Sequence, residues 1–141
     1  MTLNKLSSEL IDIAPKDFVA ALIAPALLIE TPLILGIISE LEYIDYYNHD
    51  QIDKNGTVLI AIKDPGQYKH PEFKVQGFDD VLQVQFWDIE KDCDEYKCIS
   101  LETGKIIHDF IIKNKNKRFL IHCAAGISRS AGVGLAVECL I

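Results

Sequence analysis

The chain is short of positive charge. Its 141 residues carry 14 Lys and Arg against 21 Asp and Glu, a formal net charge of −7. A general nucleic-acid binder needs a basic face to neutralise phosphates, and this balance argues against one. It leaves room for a local positive pocket, which takes only a handful of groups. Cysteine is sparse as well, with four at positions 93, 98, 123 and 139. Their spacing is neither C-x-x-C nor a paired zinc set. Asp12 and Asp17 break up any apolar core at the start, so no secretory signal is read there. Free thiols in a reducing cytosol, and hence a cytoplasmic protein, fit best. Also missing is an unbroken apolar run. Residues 18–38 come nearest, but Pro25, Glu30 and Pro32 interrupt them. A spanning helix needs about 20 predominantly apolar residues without such breaks. The expectation is buried structure and no membrane span. With no internal repeat and no second domain in view, one domain over residues 1–141 is expected.

What is present alternates between strand and helix signals. Leu3, Leu6, Leu10 and Ile13 recur at spacings of three and four, predicting a short helix over 3–13 that Pro15 follows. A second short helix is expected over 16–24 and a strand over 26–29. Thr31 reads as an N-cap with Pro32 at the first helical position of a helix over 33–47. Ile34, Ile37, Ile38, Leu41 and Ile44 would form its inner face. Asn55-Gly56 is a turn signal, and TVLIAI over 57–62 reads as a buried strand that Asp64-Pro65-Gly66 closes. Residues 66–80 have no period and read as loop. A strand over 81–86, a charged loop over 91–99 and a helix over 101–114 capped by Ser100 follow, with Ile106, Ile107, Phe110 and Ile111 facing inward. A strand over 118–122 and an almost wholly apolar, hence buried, helix over 129–141 complete the chain. The alternation predicts an α/β fold with a mostly parallel central sheet flanked by helices.

The densest chemistry lies in FLIHCAAGISRSAG, residues 119–132. An apolar strand runs into a loop that begins with a thiol, Cys123, and ends with a guanidinium, Arg129, at the start of a helix. The first turn of a helix leaves backbone N–H groups unpaired, and the helix dipole adds positive potential there. Together they favour a bound anion. Arg129 can add two parallel hydrogen bonds to it. A cysteine under the same field becomes a thiolate near neutral pH. Gly126 supplies a residue that tolerates positive φ and close approach.

His122-Cys123-Ala124-Ala125-Gly126-Ile127-Ser128-Arg129-Ser130 resembles the signature loop of the cysteine-dependent protein phosphatases, in its dual-specificity form. The resemblance covers residues 57–141. It implies a phosphatase-like fold in which Cys123 attacks phosphorus and Arg129 clamps the phosphoryl oxygens. The N–H groups of Ala124, Ala125, Gly126, Ile127, Ser128 and Arg129 would bind those oxygens. Ser130 would hydrogen-bond the sulfur, and His122 would order the loop through backbone contacts and help to set the thiolate pKa. An acid is required to protonate the leaving oxygen. In the resembled family it stands in the loop after the preceding strand, which points to Asp88, with Asp92 as the alternative. No metal or other cofactor is implied, because Arg129 and the N–H groups carry the positive charge. The substrates implied are proteins bearing phosphotyrosine, phosphoserine or phosphothreonine. Alternatives are RNA 5′ ends, phosphoinositides, or a module that binds phosphate without turnover. The loop holds no lysine, which lowers the phosphoinositide option. Cys93 and Cys98 are either resolving thiols for Cys123 or ordinary cysteines. The family's further helices after the loop helix have no counterpart before Ile141.

Overall fold

The structure is a computed structural model and describes residues 33–66, 70 and 72–141. The chain divides into two compact units, Met1–Leu33 and Ile34–Ile141, and the described fold is that of the second. The elements expected over 3–13, 16–24 and 26–29, and the Thr31-Pro32 helix start, lie outside the described residues.

Seven elements follow one another: β1 (Ile34–Ser39), α1 (Glu40–Asn48), β2 (Thr57–Lys63), β3 (Asp80–Gln85), α2 (Leu101–Lys113), β4 (Arg118–Cys123) and α3 (Arg129–Leu140). The strands form one sheet in the order β1-β4-β2-β3, and every pair is parallel. The expected α/β architecture is therefore observed. β2 is buried along its whole length and β4 from Phe119 onward. Strands covered on both faces need side chains that are apolar at successive positions, not alternate ones. That is why TVLIAI and FLIHC read as continuous runs.

Register assigns the faces. Leu59 lies opposite Leu120, and Ala61 opposite His122. Alternate residues point to opposite sides of a sheet, and Leu59, Ala61 and Leu120 cluster with Tyr43 and Ile44 of α1 and with Phe73. On the other face α3 lies against β1. It comes so near that a Cβ on Gly134 would stand 2.6 Å from Ile37 Cδ1. α2 packs beside α3 and against β3. Among the described residues, no helix is long and apolar enough to cross a membrane.

Three expectations need correcting. The helix over 33–47 is instead a strand, β1, followed by the shorter α1. Ile34, Ile37 and Ile38 do fall at helical spacing, but three β-branched residues around Gly36 also suit a pleated strand, and pairing with β4 decides the matter. The helix starts at Glu40, with Ser39 as its N-cap. The Ser39 hydroxyl accepts from Glu42 N at 3.1 Å while Glu42 Oε1 accepts from Ser39 N at 3.1 Å, a reciprocal capping box. Ile106 of α2 faces outward at 46% exposure, leaving Ile107, Phe110 and Ile111 as its buried stripe. α3 is buried only through Ser130, Val133, Gly134 and Val137, and Leu135 is 63% exposed.

Because all four strands run the same way, their carboxyl ends share one edge. Ser39, Lys63, Gln85 and Cys123 end their strands there, so the residues just after each strand converge. Ligands of open parallel sheets bind at this edge.

Candidate active site

Cys123 ends the inner strand β4 and is 2% exposed. The loop from Ala124 to Ser128 carries the chain up to α3. Gly126 has φ of 70°, a left-handed conformation that costs other residues about 1–2 kcal/mol. Space excludes them too. A Cβ on Gly126 would lie 2.5 Å from both Ile38 C and Ser39 N. The loop thus rests on the β1–α1 junction, and Glu40 N donates to Ala124 O at 3.4 Å. A side chain at position 126 would lift the loop off this support.

The thiol sits at the bottom of the loop. Ser130 Oγ lies 3.2 Å from Cys123 Sγ, and the Gly126 N–H donates to the sulfur at 3.2 Å. Burial alone would push the thiol up and is the strongest single influence on it. The Ser130 hydroxyl and the backbone N–H groups of Ser130, Gly126 and Ile127 together outweigh burial and hold the thiol below its ordinary value.

Arg129 opens α3 with its side chain 7% exposed. Nη1 donates to Asp64 Oδ1 at 2.6 Å and to the Phe86 carbonyl at 2.9 Å. Nε is buried without a hydrogen-bond partner. One end of the guanidinium is therefore anchored, and a polar atom beside that end is left unsatisfied. An unsatisfied buried donor costs about 1–3 kcal/mol, a cost that an incoming anion would remove. Asp64 is a site residue that sequence reasoning missed. It appeared only as the first residue of a turn. The available signal was its place directly after a buried strand, at the edge where strand ends meet.

Asp88 reaches the loop, and Asp92 does not. Ser128 Oγ donates to Asp88 Oδ1 at 2.8 Å. Asp92 is taken up locally: Oδ1 accepts from Cys98 N at 3.0 Å, and Lys97 Nζ stands 3.7 Å from Oδ2. Those contacts, with Cys98 N foremost, hold its carboxyl below the usual range. The same carboxylate pushes the Cys98 thiol up. Cys93, Cys98 and Cys139 are free thiols, as Cys123 is.

His122 is fully buried, and neither ring nitrogen has a hydrogen-bond partner. No hydrogen bond from either ring nitrogen reaches the loop among the described residues. Its ring instead stacks on Tyr43 at 4.8 Å and meets Phe73 edge-on at 5.4 Å. Burial, with the Lys63 ammonium nearby, pushes it down to about 3, so the ring is neutral at ordinary pH. Lys63 is itself buried, 3.6 Å from Glu40 Oε1 and 4.2 Å from the Phe73 ring centre. This pair stands behind the loop, where Glu40 also contacts Ala124.

The assembly brings together a polarised thiol, a half-anchored guanidinium, a carboxylate at the rim and a glycine-shaped backbone loop. Chemically it suits a tetrahedral oxyanion placed over a nucleophilic sulfur. Comparisons of the chain with protein-family models, with curated proteins and with solved structures return no match.

Proposed function

We propose that this chain is a cysteine-dependent phosphomonoesterase that acts on phosphorylated tyrosine, serine or threonine of proteins. The observation that carries the reading is the Cys123 thiol, held below its ordinary pKa by Ser130 and loop N–H groups, under a loop whose Arg129 has a buried, unpartnered Nε. The protein-substrate assignment draws on the resemblance of residues 122–130 to the dual-specificity signature and on the net charge of −7, which disfavours RNA ends and anionic lipids.

In the first step the Cys123 thiolate forms an S–P bond as the P–O ester bond breaks. The leaving oxygen takes a proton from the Asp88 carboxyl, help typically worth about 10²–10⁴-fold. Arg129 Nε and the N–H groups of residues 124–129 stabilise the oxygens of the transferring group. In the second step water attacks phosphorus and the S–P bond breaks. The Ser130 hydroxyl stabilises the returning thiolate, and Asp88 takes the water's proton. Asp88 at the rim favours turnover over a module that only binds phosphate, since binding alone has no use for an acid.

The test is hydrolysis of an aryl phosphate with a chelator present, expected to proceed and to be inhibited by vanadate. Cys123→Ser should abolish turnover and retain vanadate binding. Activity that persists in this variant would refute the mechanism. Asp88→Asn should slow substrates with poor leaving groups far more than good ones, and Asp92→Asn should not.

A further inference from the structure

Three helices of the fold begin after a serine. Ser39 Oγ accepts from Glu42 N at 3.1 Å, and Ser100 Oγ accepts from Thr103 N at 3.0 Å, so both cap their own helix. Ser128 occupies the same position before α3 and makes no side-chain cap. Its φ and ψ are −97° and −68°, outside the extended region of the other two caps. The hydroxyl turns away from the helix and donates to Asp88 Oδ1 at 2.8 Å. Ser128 thus forgoes the cap by which a serine side chain normally satisfies one of the unpaired N–H groups at a helix start. In return, the Ser128 hydroxyl occupies none of the first N–H groups of α3, and the segment carrying Asp88 is tied to the loop over Cys123.

Resting on the phosphomonoesterase reading, we infer that Ser128 is the positioning residue for the acid: its hydroxyl fixes the Asp88 carboxyl over the cradle. The bond also selects the working oxygen. A hydroxyl donating to Oδ1 leaves the transferable proton on Oδ2. That proton passes from Oδ2 to the leaving oxygen in the first step, and Oδ2 takes one from water in the second. Oδ1 stays an acceptor throughout. Asp88 is otherwise on an exposed segment, where a carboxyl would sample several orientations. A single tether to the rigid start of α3 removes that freedom. The Ser128 backbone N–H belongs to the phosphate cradle whatever the side chain, so hydroxyl and N–H serve separate ends.

The experiment compares the full chain with Ser128→Ala and Ser128→Thr. Rates are measured on an aryl phosphate with a good leaving group and an alkyl phosphate with a poor one. Trp87, the sole tryptophan and next to Asp88, reports on the tether through quenching by acrylamide. Ser128→Ala should widen the ratio of good to poor substrate rates by about tenfold, the worth of one hydrogen bond. Vanadate affinity should be unchanged, and the thermal midpoint should fall by no more than the loss of one exposed hydrogen bond, because no cap is lost. Trp87 should become easier to quench, and Ser128→Thr should restore both ratio and quenching. An unchanged ratio, or equal slowing of both substrates with a larger fall in thermal midpoint, would overturn the inference. If the unsubstituted chain hydrolyses neither substrate while Ser128→Ala still alters quenching, the phosphatase reading has failed and the acid role falls with it, leaving only the tether.

Discussion

The Ser130–Cys123 contact permits a test that needs no substrate. Ser130 is fully buried and its hydroxyl lies 3.2 Å from Cys123 Sγ. Ser130→Ala deletes that donor and leaves the N–H groups of Gly126, Ile127 and Ser130 in place. A hydrogen bond to a charged group is worth about 1.5–3 kcal/mol, and one pH unit corresponds to about 1.4 kcal/mol. The thiol's titration midpoint should therefore rise by about one to two units. The assay is alkylation by iodoacetamide across a pH series, with the modification of each cysteine followed by peptide mass. Site resolution matters because Cys93 and Cys139 are exposed and will react as well. The sign extends to stability. A thiol whose folded value is depressed stabilises the fold fully above its unfolded value, and the contribution fades as pH falls through the folded value. Ser130→Ala should narrow that window from its lower end. An unmoved or lowered Cys123 midpoint would refute the argument that the hydroxyl stabilises the thiolate.

Gly126→Ala should lower the unfolding free energy by at least about 1–2 kcal/mol from its left-handed φ alone, with a further loss from the Ile38 and Ser39 backbone, read by denaturant unfolding; vanadate binding should weaken as the loop lifts. Asp64→Ala removes a charge-assisted bond to a guanidinium that is 7% exposed, and vanadate affinity measured by titration should fall by about ten- to a hundredfold. His122 is held neutral down to about 3, against about 6.5 in an unfolded chain. Protonation thus favours the unfolded state, and stability should decline as pH falls from about 6.5 toward 3. His122→Phe, which loses no hydrogen bond and keeps the stack on Tyr43, should flatten that acid limb in thermal melts taken from pH 7 to 4.

The stretches that could be read from sequence are those in which one chemistry admits one geometry. TVLIAI and FLIHC are too short and too apolar for surface helices, and the sheet buries both. Ser100 announces α2 because it is followed by a helical stripe. The segment 34–38 is different. Its isoleucines satisfy the period of a helix and the composition of a strand, and only pairing with Phe119–Cys123 chooses between them. Ser39-Glu40-Leu41-Glu42 held a capping-box signal for the true start, masked by the apparent start at Thr31. Outward-facing Ile106 and Leu135 fail for a related reason, since an apolar side chain does not reveal whether a neighbour exists to cover it.

For the site, the linear order of Cys123, Gly126, Arg129 and Ser130 was enough, because a strand–loop–helix turn is local and its residues meet wherever the rest of the chain goes. The choice of Asp88 over Asp92 as the carboxylate at the loop was not local. Both precede the loop at comparable separations, and only the fold shows one bonded to Ser128 and the other to Cys98. Asp64 gave less warning still. It reaches Arg129 because parallel strands deliver their ends to one edge, a property of the sheet and of no single segment. Local covalent order therefore determined the thiol, the guanidinium and the turn that joins them. The tertiary structure decided which carboxylates face them, because contacts between strand ends far apart in the chain exist only once the sheet has formed.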